Sequence, residues 1–223
     1  MYKFSFFSTA LLVLLSVGFV ARAGYVVGDH SNIPVQDDGW ISLFDGKTLN
    51  GWKANEHAET FNVEGGAIVV HGPTSHLFYA GEVSDHDFKN FELKLDVMTF
   101  PGSNSGIYFH TQFQETGFPG IGHEVQVNVS HTDWRRSGSI YGVVHVDTVP
   151  VKDNQWYTQH IIVKDNQVRI LINGKLILEY NEPKTVTQPG TGRVVSSGTF
   201  ALQGHDPESK VLFRNIRVKV LPD

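Results

Sequence analysis

The sequence predicts an all-β domain made of two packed antiparallel sheets, and two observations carry this prediction. Apolar and polar residues alternate with period two along most of the chain, whereas the spacing of an amphipathic helix is almost absent. Turn-forming residues recur at close spacing, with 22 Gly and 9 Pro in 223 residues. About a dozen short strands separated by such turns favour a β-sandwich over a mixed or helical fold.

Three segments show the strand pattern most clearly. Alternation is regular over 91–97, and three valines in 124–129 alternate with polar residues. The apolar positions of 168–172 lead into Asn173-Gly174, a pair that tolerates positive φ and so predicts a type I′ hairpin. The stretches between strands that are longest and richest in turn residues are predicted to be loops: 113–123, 130–138 and 182–197.

The first 23 residues have the pattern of a signal peptide. Lys3 precedes an apolar run from 6 to 20, and Ala21-Arg22-Ala23 has the small-x-small form of a cleavage site. A membrane anchor is the alternative, but the run is shorter than the ~20 residues that span a bilayer. We therefore expect export to a bacterial periplasm or the extracellular space, with a mature chain that has no stable membrane insertion.

The mature chain is expected to begin at Gly24, with an irregular leader over 24–38 and one domain over 39–223. Removing Lys3 and Arg22 leaves 16 basic and 23 acidic residues, a balance that argues against nucleic acid as a partner. The chain has no Cys, so its core must be stable without disulfides. Zero Cys in an exported protein also favours a bacterial origin.

Strand parity sorts a set of polar side chains onto one sheet face, because alternate residues of a strand point to opposite sides. We read strands at 105–112, 124–129, 139–145 and 199–205, whose non-core positions carry phenol, imidazole, amide and carboxylate groups. The predicted sugar-binding set is Tyr108, His110, Glu124, Gln126, Tyr141, Gln203 and His205. An ordinary solvated sheet face is the alternative.

The loop after the 124–129 strand adds three further candidates. Trp134 has the ring of a stacking platform for a sugar, although a packed loop Trp would look the same. Arg135 and Arg136 form the densest positive charge in the chain, with a solvated loop as the alternative reading.

The pattern Glu124-x-Gln126-x-Asn128 bears on the chemistry. Retaining glycosidases need two carboxylates, one as nucleophile and one as acid/base, and this strand offers amides where a second acid would stand. A single base near a His and an Arg can instead remove a carbon-bound proton and stabilise the resulting enolate.

The chain contains six sequence blocks whose order and spacing resemble those of the 3-keto-disaccharide hydrolase family, also described as 3-keto-glucoside 1,2-lyases. The resemblance covers about residues 39–221. The blocks are Gly39–Trp52, Asn104–Tyr108, Glu124–Gln126, Ser139–Gly142, Leu202–Pro207 and Phe213–Arg217.

The resemblance implies a concanavalin A-like jelly roll acting on glycosides already oxidised at C3 of a glucosyl unit. The ketone acidifies the C2 hydrogen, so a base can remove it and expel the C1 substituent by β-elimination, and later hydration gives net hydrolysis. Glu124 and His205 would be the acid–base residues, with the order between them left open. No cofactor is certain, and a divalent cation is possible, although Val127–Ser130 is less acidic than in many family members.

A non-catalytic, lectin-like carbohydrate-binding module on the same fold is the alternative function. A binding module needs aromatic and amide groups but no base. The presence of Glu124 and His205 on one face is therefore the feature that favours an enzyme with a 3-keto-glycoside substrate.

Overall fold

The computed structural model describes Met1, residues 38–183 and residues 193–223. The predicted signal peptide (1–23), nearly all of the predicted leader (24–38) and residues 184–192 of the predicted 182–197 loop lie outside the described residues. Within the described ranges, no helix has the length and apolar character needed to cross a bilayer. The helices there are two short 3₁₀ turns, Ala58–Thr60 and Val83–His86.

Antiparallel strands dominate the described residues and form two sheets. In chain order they are β1 (Ile41–Ser42), β2 (Trp52–Ala54), β3 (Phe61–Glu64), β4 (Ala67–Val70), β5 (Ser75–Tyr79), β6 (Phe91–Thr99), β7 (Asn104–Thr111), β8 (His123–Asn128), β9 (Tyr157–Lys164), β10 (Gln167–Ile172), β11 (Lys175–Asn181), β12 (Thr199–Gly204) and β13 (Val211–Val220). The larger sheet has the order β11-β10-β9-β6-β13-β4-β3, with β1 also paired to β13, and the smaller has the order β2-β5-β12-β7-β8.

The core lies between the two sheets and follows the period-two pattern. Leu93 and Leu95 of β6 in the larger sheet belong to the same apolar cluster as Ile107, Val125 and Leu202 of the smaller sheet. Each of these side chains is at most 1% exposed, as expected where two sheets face one another. The predicted two-sheet jelly-roll sandwich is confirmed.

Local turn chemistry also follows the sequence. Asn173 and Gly174 have φ values of 49° and 77°, and Ile172 pairs with Lys175 across them, so the predicted type I′ hairpin is present between β10 and β11.

The predicted strand over 139–145 is wrong, because Ile140 and Val144 bridge to each other around a tight turn. This turn instead covers β8, the edge strand of the smaller sheet. The Tyr141 N–H donates to the Glu124 carbonyl over 2.9 Å, and the Gln126 N–H donates to the Ser139 carbonyl over 2.9 Å. An edge strand whose polar groups are covered cannot pair with another chain.

Candidate active site

A cavity of about 280 Å³ opens on the outer face of the smaller sheet, the face that points away from the larger sheet. Six of the ten site residues expected from the sequence come together here: Tyr108, Glu124, Gln126, Tyr141, Gln203 and His205. Four more residues complete the lining: Asn104, Phe118, Asp133 and Arg193. Strand parity explains the arrangement, because the neighbours of Tyr108, Glu124 and Gln203 along their strands point into the core.

Glu124 lies deep in the cavity, with only 5% of its surface exposed. The Tyr108 hydroxyl donates to Glu124 Oε2 over 2.8 Å, and Gln203 Nε2 donates to Glu124 Oε1 over 3.1 Å. Burial raises the pKa of Glu124 above its ordinary value, against the opposing effects of the Tyr108 hydrogen bond and the Arg193 charge. A carboxylate with a raised pKa is a stronger base than one in water and suits proton abstraction.

Gly106 on β7 makes room for the Glu124 side chain. A Cβ added at Gly106 would lie 2.4 Å from Glu124 Oε1 and 2.8 Å from Glu124 Cγ. No larger residue fits there without moving the carboxylate, so this glycine is explained by the position of Glu124.

His205 and Asp206 form a second acid–base unit. His205 Nδ1 lies 2.6 Å from Asp206 Oδ2, and the Ser209 hydroxyl donates to the same carboxylate over 3.0 Å. Burial alone would raise the pKa of Asp206, but the hydrogen bonds from His205 and Ser209 outweigh it and hold that pKa below its ordinary value. An ionised Asp206 orients the imidazole through Nδ1–H, which leaves Nε2 for proton transfer.

Arg193 brings positive charge to the cavity from the end of the predicted 182–197 loop. Its Nη1 donates to the Tyr141 carbonyl over 3.0 Å, and its guanidinium lies over the Tyr141 ring at 5.6 Å from the ring centre. Its charge also acts on Glu124 and Tyr108. Sequence reasoning missed Arg193 because a long loop has no periodicity that places a side chain.

His76 on β5 is a second neighbour of the site that sequence reasoning missed. It pairs directly with Gln203 across the sheet, and its ring meets those of Tyr108 and Phe118 at centroid distances of 5.4 and 5.1 Å. Burial lowers its pKa to about 4, with the nearby His205 adding to the effect. His76 is therefore neutral at physiological pH and forms part of the wall behind the cavity.

The prediction that His110 lines the sugar site is wrong. His110 has a positive φ of 54°, and the pairing of β7 with β12 shifts register at this point. Such a bulge inserts a residue and reverses the parity beyond it. The His110 ring consequently packs against Phe91 in the core, with Nε2 donating to the Lys89 carbonyl over 2.9 Å and Nδ1 accepting from the Ser196 N–H over 3.0 Å.

The three predicted residues of the 130–138 loop have separate positions outside the cavity lining. Arg135 Nη1 donates to both oxygens of Asp133, over 3.1 and 3.0 Å, and so stands behind the cavity wall. Arg136 Nη1 donates to Asn128 Oδ1 over 3.1 Å and to two loop carbonyls, which makes it a brace for this loop and corrects its predicted role in sugar binding. Trp134 is 53% exposed and lines a different groove.

The residues in the described ranges include no group of three or more His, Asp and Glu side chains arranged to hold a metal ion. The site is built instead from one buried carboxylate, a His–Asp pair, an arginine and several neutral hydrogen-bonding groups.

The fold and the cavity define a class: a jelly-roll sandwich with acid–base groups gathered on the outer face of one sheet. Within that class, the chain belongs to the family of 3-keto-alpha-glucoside-1,2-lyase-like domains, whose profile matches residues 39–219.

Individual relatives agree with this assignment. The chain is 29% identical to a 3-keto-disaccharide hydrolase of Bacteroides thetaiotaomicron over 86% of this chain and 82% of that protein. A solved structure of a candidate glycosyl hydrolase from Parabacteroides distasonis superposes with a TM-score of 0.69 at 25% identity, covering 83% of this chain and 95% of that one. The carbohydrate-binding module CBM66 of Bacillus subtilis shares the fold alone, with a TM-score of 0.56 at 13% identity over 76% of this chain and 95% of the module.

Proposed function

We propose that this protein is a carbohydrate-active enzyme that cleaves 3-keto-glycosides by removing the C2 proton and expelling the C1 substituent. Membership of the 3-keto-alpha-glucoside-1,2-lyase-like family and similarity to a 3-keto-disaccharide hydrolase support the substrate class.

One observation carries the choice of mechanism: the cavity offers a single unpaired carboxylate. Glu124 receives hydrogen bonds only from the neutral side chains of Tyr108 and Gln203, among the bonds described. The other carboxylate of the lining, Asp133, is already paired with Arg135. Direct hydrolysis with retention or inversion uses two carboxyl groups on the sugar. Removal of an acidic C–H needs one base.

The proposed reaction uses Glu124, Arg193 and His205 in turn. Glu124 takes the C2 proton, and the electron pair moves into an enolate whose oxygen is the former C3 ketone. Arg193 supplies positive charge for this enolate. The enolate then re-forms the ketone, the C1–O bond breaks, and His205 delivers a proton to the leaving oxygen. The products are an enone with a C1=C2 double bond and the free alcohol. Addition of water across C1=C2 gives net hydrolysis.

The roles of Glu124 and His205 follow from their partners. Glu124 is a buried carboxylate with a raised pKa, which favours accepting a proton. The Asp206 carboxylate holds His205 through Nδ1, which orients the ring so that Nε2 can deliver a proton to the leaving oxygen. We therefore assign the base to Glu124 and the acid to His205.

The protein is also proposed to be exported, because the signal-peptide pattern of residues 1–23 predicts cleavage before Gly24. N-terminal sequencing of the mature protein tests this. A Met1 start on a membrane-bound product would mean that the apolar segment is an anchor.

The experiment for the function is incubation with 3-keto-trehalose, 3-keto-sucrose and an aryl 3-keto-glucoside, each beside its unoxidised parent, with and without a chelator. We expect cleavage of the keto forms alone, with mass spectrometry detecting the enone or its hydrated product. Equal cleavage of the parents would rule out elimination. Binding of sugars without cleavage of any keto substrate would favour the lectin-like alternative.

A further inference from the structure

A groove beside the cavity carries an inference that rests on the proposed function and extends it. We propose that this groove is a second carbohydrate subsite, which binds the leaving-group side of an oligosaccharide whose oxidised ring occupies the cavity.

The groove has a volume of about 600 Å³ and lies between the 145–150 loop and the start of β11. Volumes of roughly 300–1,000 Å³ are typical of small-molecule sites. Its walls mix apolar and polar side chains, including Trp134, His145, Asp147, Lys175 and Leu176. A sugar needs this mixture, because its ring has an apolar C–H face and a rim of hydroxyl groups.

Trp134 lies in the groove lining, and its large ring is exposed to solvent but fixed by its neighbours. Its ring lies 5.3 Å from the His145 ring in an edge-to-face arrangement, and the Arg135 guanidinium is 5.3 Å from its centre. Trp134 is 53% exposed, whereas Trp40 and Trp52 are at most 9% exposed. A ring already fixed by its neighbours loses little side-chain entropy when a sugar stacks on it.

The groove and the cavity are connected through Arg135, which contacts a residue of each. Asp133 lines the cavity and holds Arg135. Arg135 in turn lies over the rings of both Tyr141, at 4.8 Å, and Trp134, at 5.3 Å. Tyr141 belongs to the cavity and Trp134 to the groove. A glycan that extends from the cavity past Tyr141 is therefore separated from Trp134 by one side chain, that of Arg135.

The polar groups of the groove are suited to hydroxyls. His145 places an imidazole on the groove wall. Lys175 and Asp147 add a donor and an acceptor on the groove wall. The mixed lining of the groove and its connection to the cavity through Arg135 favour a sugar over an apolar peptide as the occupant.

The kinetic test compares Trp134→Ala with the wild type on two substrates. One is methyl 3-keto-glucoside, which is too short to reach the groove, and the other is a 3-keto-trisaccharide oxidised on its non-reducing ring. A lost stacking contact of this kind corresponds to roughly 2–10-fold in binding. We expect KM for the trisaccharide to rise by about that factor while its kcat is unchanged. Both constants for the methyl glycoside should equal those of the wild type. Val220→Ala removes an exposed apolar side chain on β13 and is the matched control.

A binding test is independent of catalysis. Short unoxidised gluco-oligosaccharides are added while intrinsic tryptophan fluorescence is followed. The subsite predicts a saturable change that is lost in Trp134→Phe. This result without any cleavage of keto substrates would keep the subsite and remove the proposed function. Cleavage with equal KM values for Trp134→Ala and wild type on both substrates would keep the function and overturn the subsite.

The alternative to a sugar in this exposed groove is a second copy of the chain. Light scattering over a range of concentrations distinguishes it. A dimer that Trp134→Ala disrupts, with no effect on either substrate, would overturn the inference in favour of a self-association surface.

Discussion

A carboxylate lies on each face of strand β8, in different surroundings: Glu124 of β8 itself on the outer face, and Glu182, which follows β11, on the inner face. On the outer face, Glu124 contacts the neutral side chains of Tyr108 and Gln203 and opens to the cavity. On the inner face, the adjacent His123 donates through Nε2 to Glu182 Oε1 over 3.0 Å, and Glu182 also accepts from the Val195 N–H over 2.7 Å. The inner pair is only 1% and 7% exposed.

The difference shows how a carboxylate suited to catalysis and one with a structural role can lie on opposite faces of the same strand. The inner carboxylate, Glu182, accepts from the His123 imidazole and from the Val195 N–H, so it links Val195 to β8. The outer carboxylate has only neutral donors, and burial raises its pKa. A buried carboxylate that is hydrogen-bonded only by neutral side chains and faces a cavity is the group that can exchange a proton with a substrate.

The largest expected effect is on Glu124. Glu124→Gln keeps the shape of the side chain and removes the base, so the rate of 3-keto-glycoside cleavage should fall by about 10²–10⁴-fold while binding persists. The Gln203 side chain can rotate to accommodate the new amide, because its Oε1 has no partner. Glu182→Gln is the matched control and should stay within a few-fold of the wild-type rate. Equal losses in both variants would erase the distinction between the two faces.

His205→Ala should lower the same rate by a similar factor of about 10²–10⁴, because it removes the proposed acid. The loss should shrink for an aryl 3-keto-glucoside, whose leaving group needs less help from an acid. Steady-state kinetics on the aryl and alkyl substrates measures the difference. An unchanged rate on both would reduce His205 to a structural role.

Gly106→Ala should displace Glu124 without changing it chemically. The new Cβ would stand 2.4 Å from Glu124 Oε1, and a displacement of about 1 Å can cost ~10²-fold in rate. Gly120→Ala is the control, because a Cβ there meets only Gln114 Oε1 at 3.8 Å. Cleavage at the wild-type rate by Gly106→Ala would mean that the position of this carboxylate is unimportant.

Much of this arrangement could be predicted from the sequence, because it depends on regular alternation. The valines of β8 and the apolar residues of β12 fix which face Glu124, Gln126 and Gln203 occupy. His110 could not be predicted, since a bulge with positive φ interrupts the alternation of β7.

Arg193 and Trp134 could not be placed for a different reason: both lie in loops, where side-chain direction depends on tertiary contacts. His76 was hidden because every residue of β5 is buried, and a strand without exposed positions gives no signal of its outer face.

A smaller effect is expected on the inner face. Glu182→Ala leaves the His123 ring and the Val195 N–H without their partner, and unpaired buried groups cost about 1–3 kcal/mol each. We expect thermal unfolding to begin several degrees lower, since about 1 kcal/mol corresponds to roughly 2–4 °C for a chain of this size. Differential scanning calorimetry measures it. A melting temperature equal to that of the wild type would show that the His123–Glu182 pair does not stabilise the fold.

The smallest expected effect is a stabilisation. The pKa of Glu124 is raised in the folded protein above the ordinary 4.5, so its favourable contribution is complete below that pH and is lost as pH rises through the folded pKa. At neutral pH, above the ordinary pKa, the fold lacks some or all of this contribution, so Glu124→Gln should melt slightly higher than the wild type. The gap should close as pH falls towards 4.5. A gap that widens on acidification would reverse the sign of the shift.

The central claim is that Glu124 removes the C2 proton, and isotopic substitution at that carbon tests it most directly. The substrate is an aryl 3-keto-glucoside carrying deuterium at C2, with the unlabelled compound as reference. Elimination predicts a primary isotope effect on kcat/KM and loss of the deuterium from the sugar product, both dependent on Glu124. Cleavage that retains the deuterium in freshly formed product and shows no isotope effect would mean that the C1–O bond breaks without C2 deprotonation, and would contradict the account.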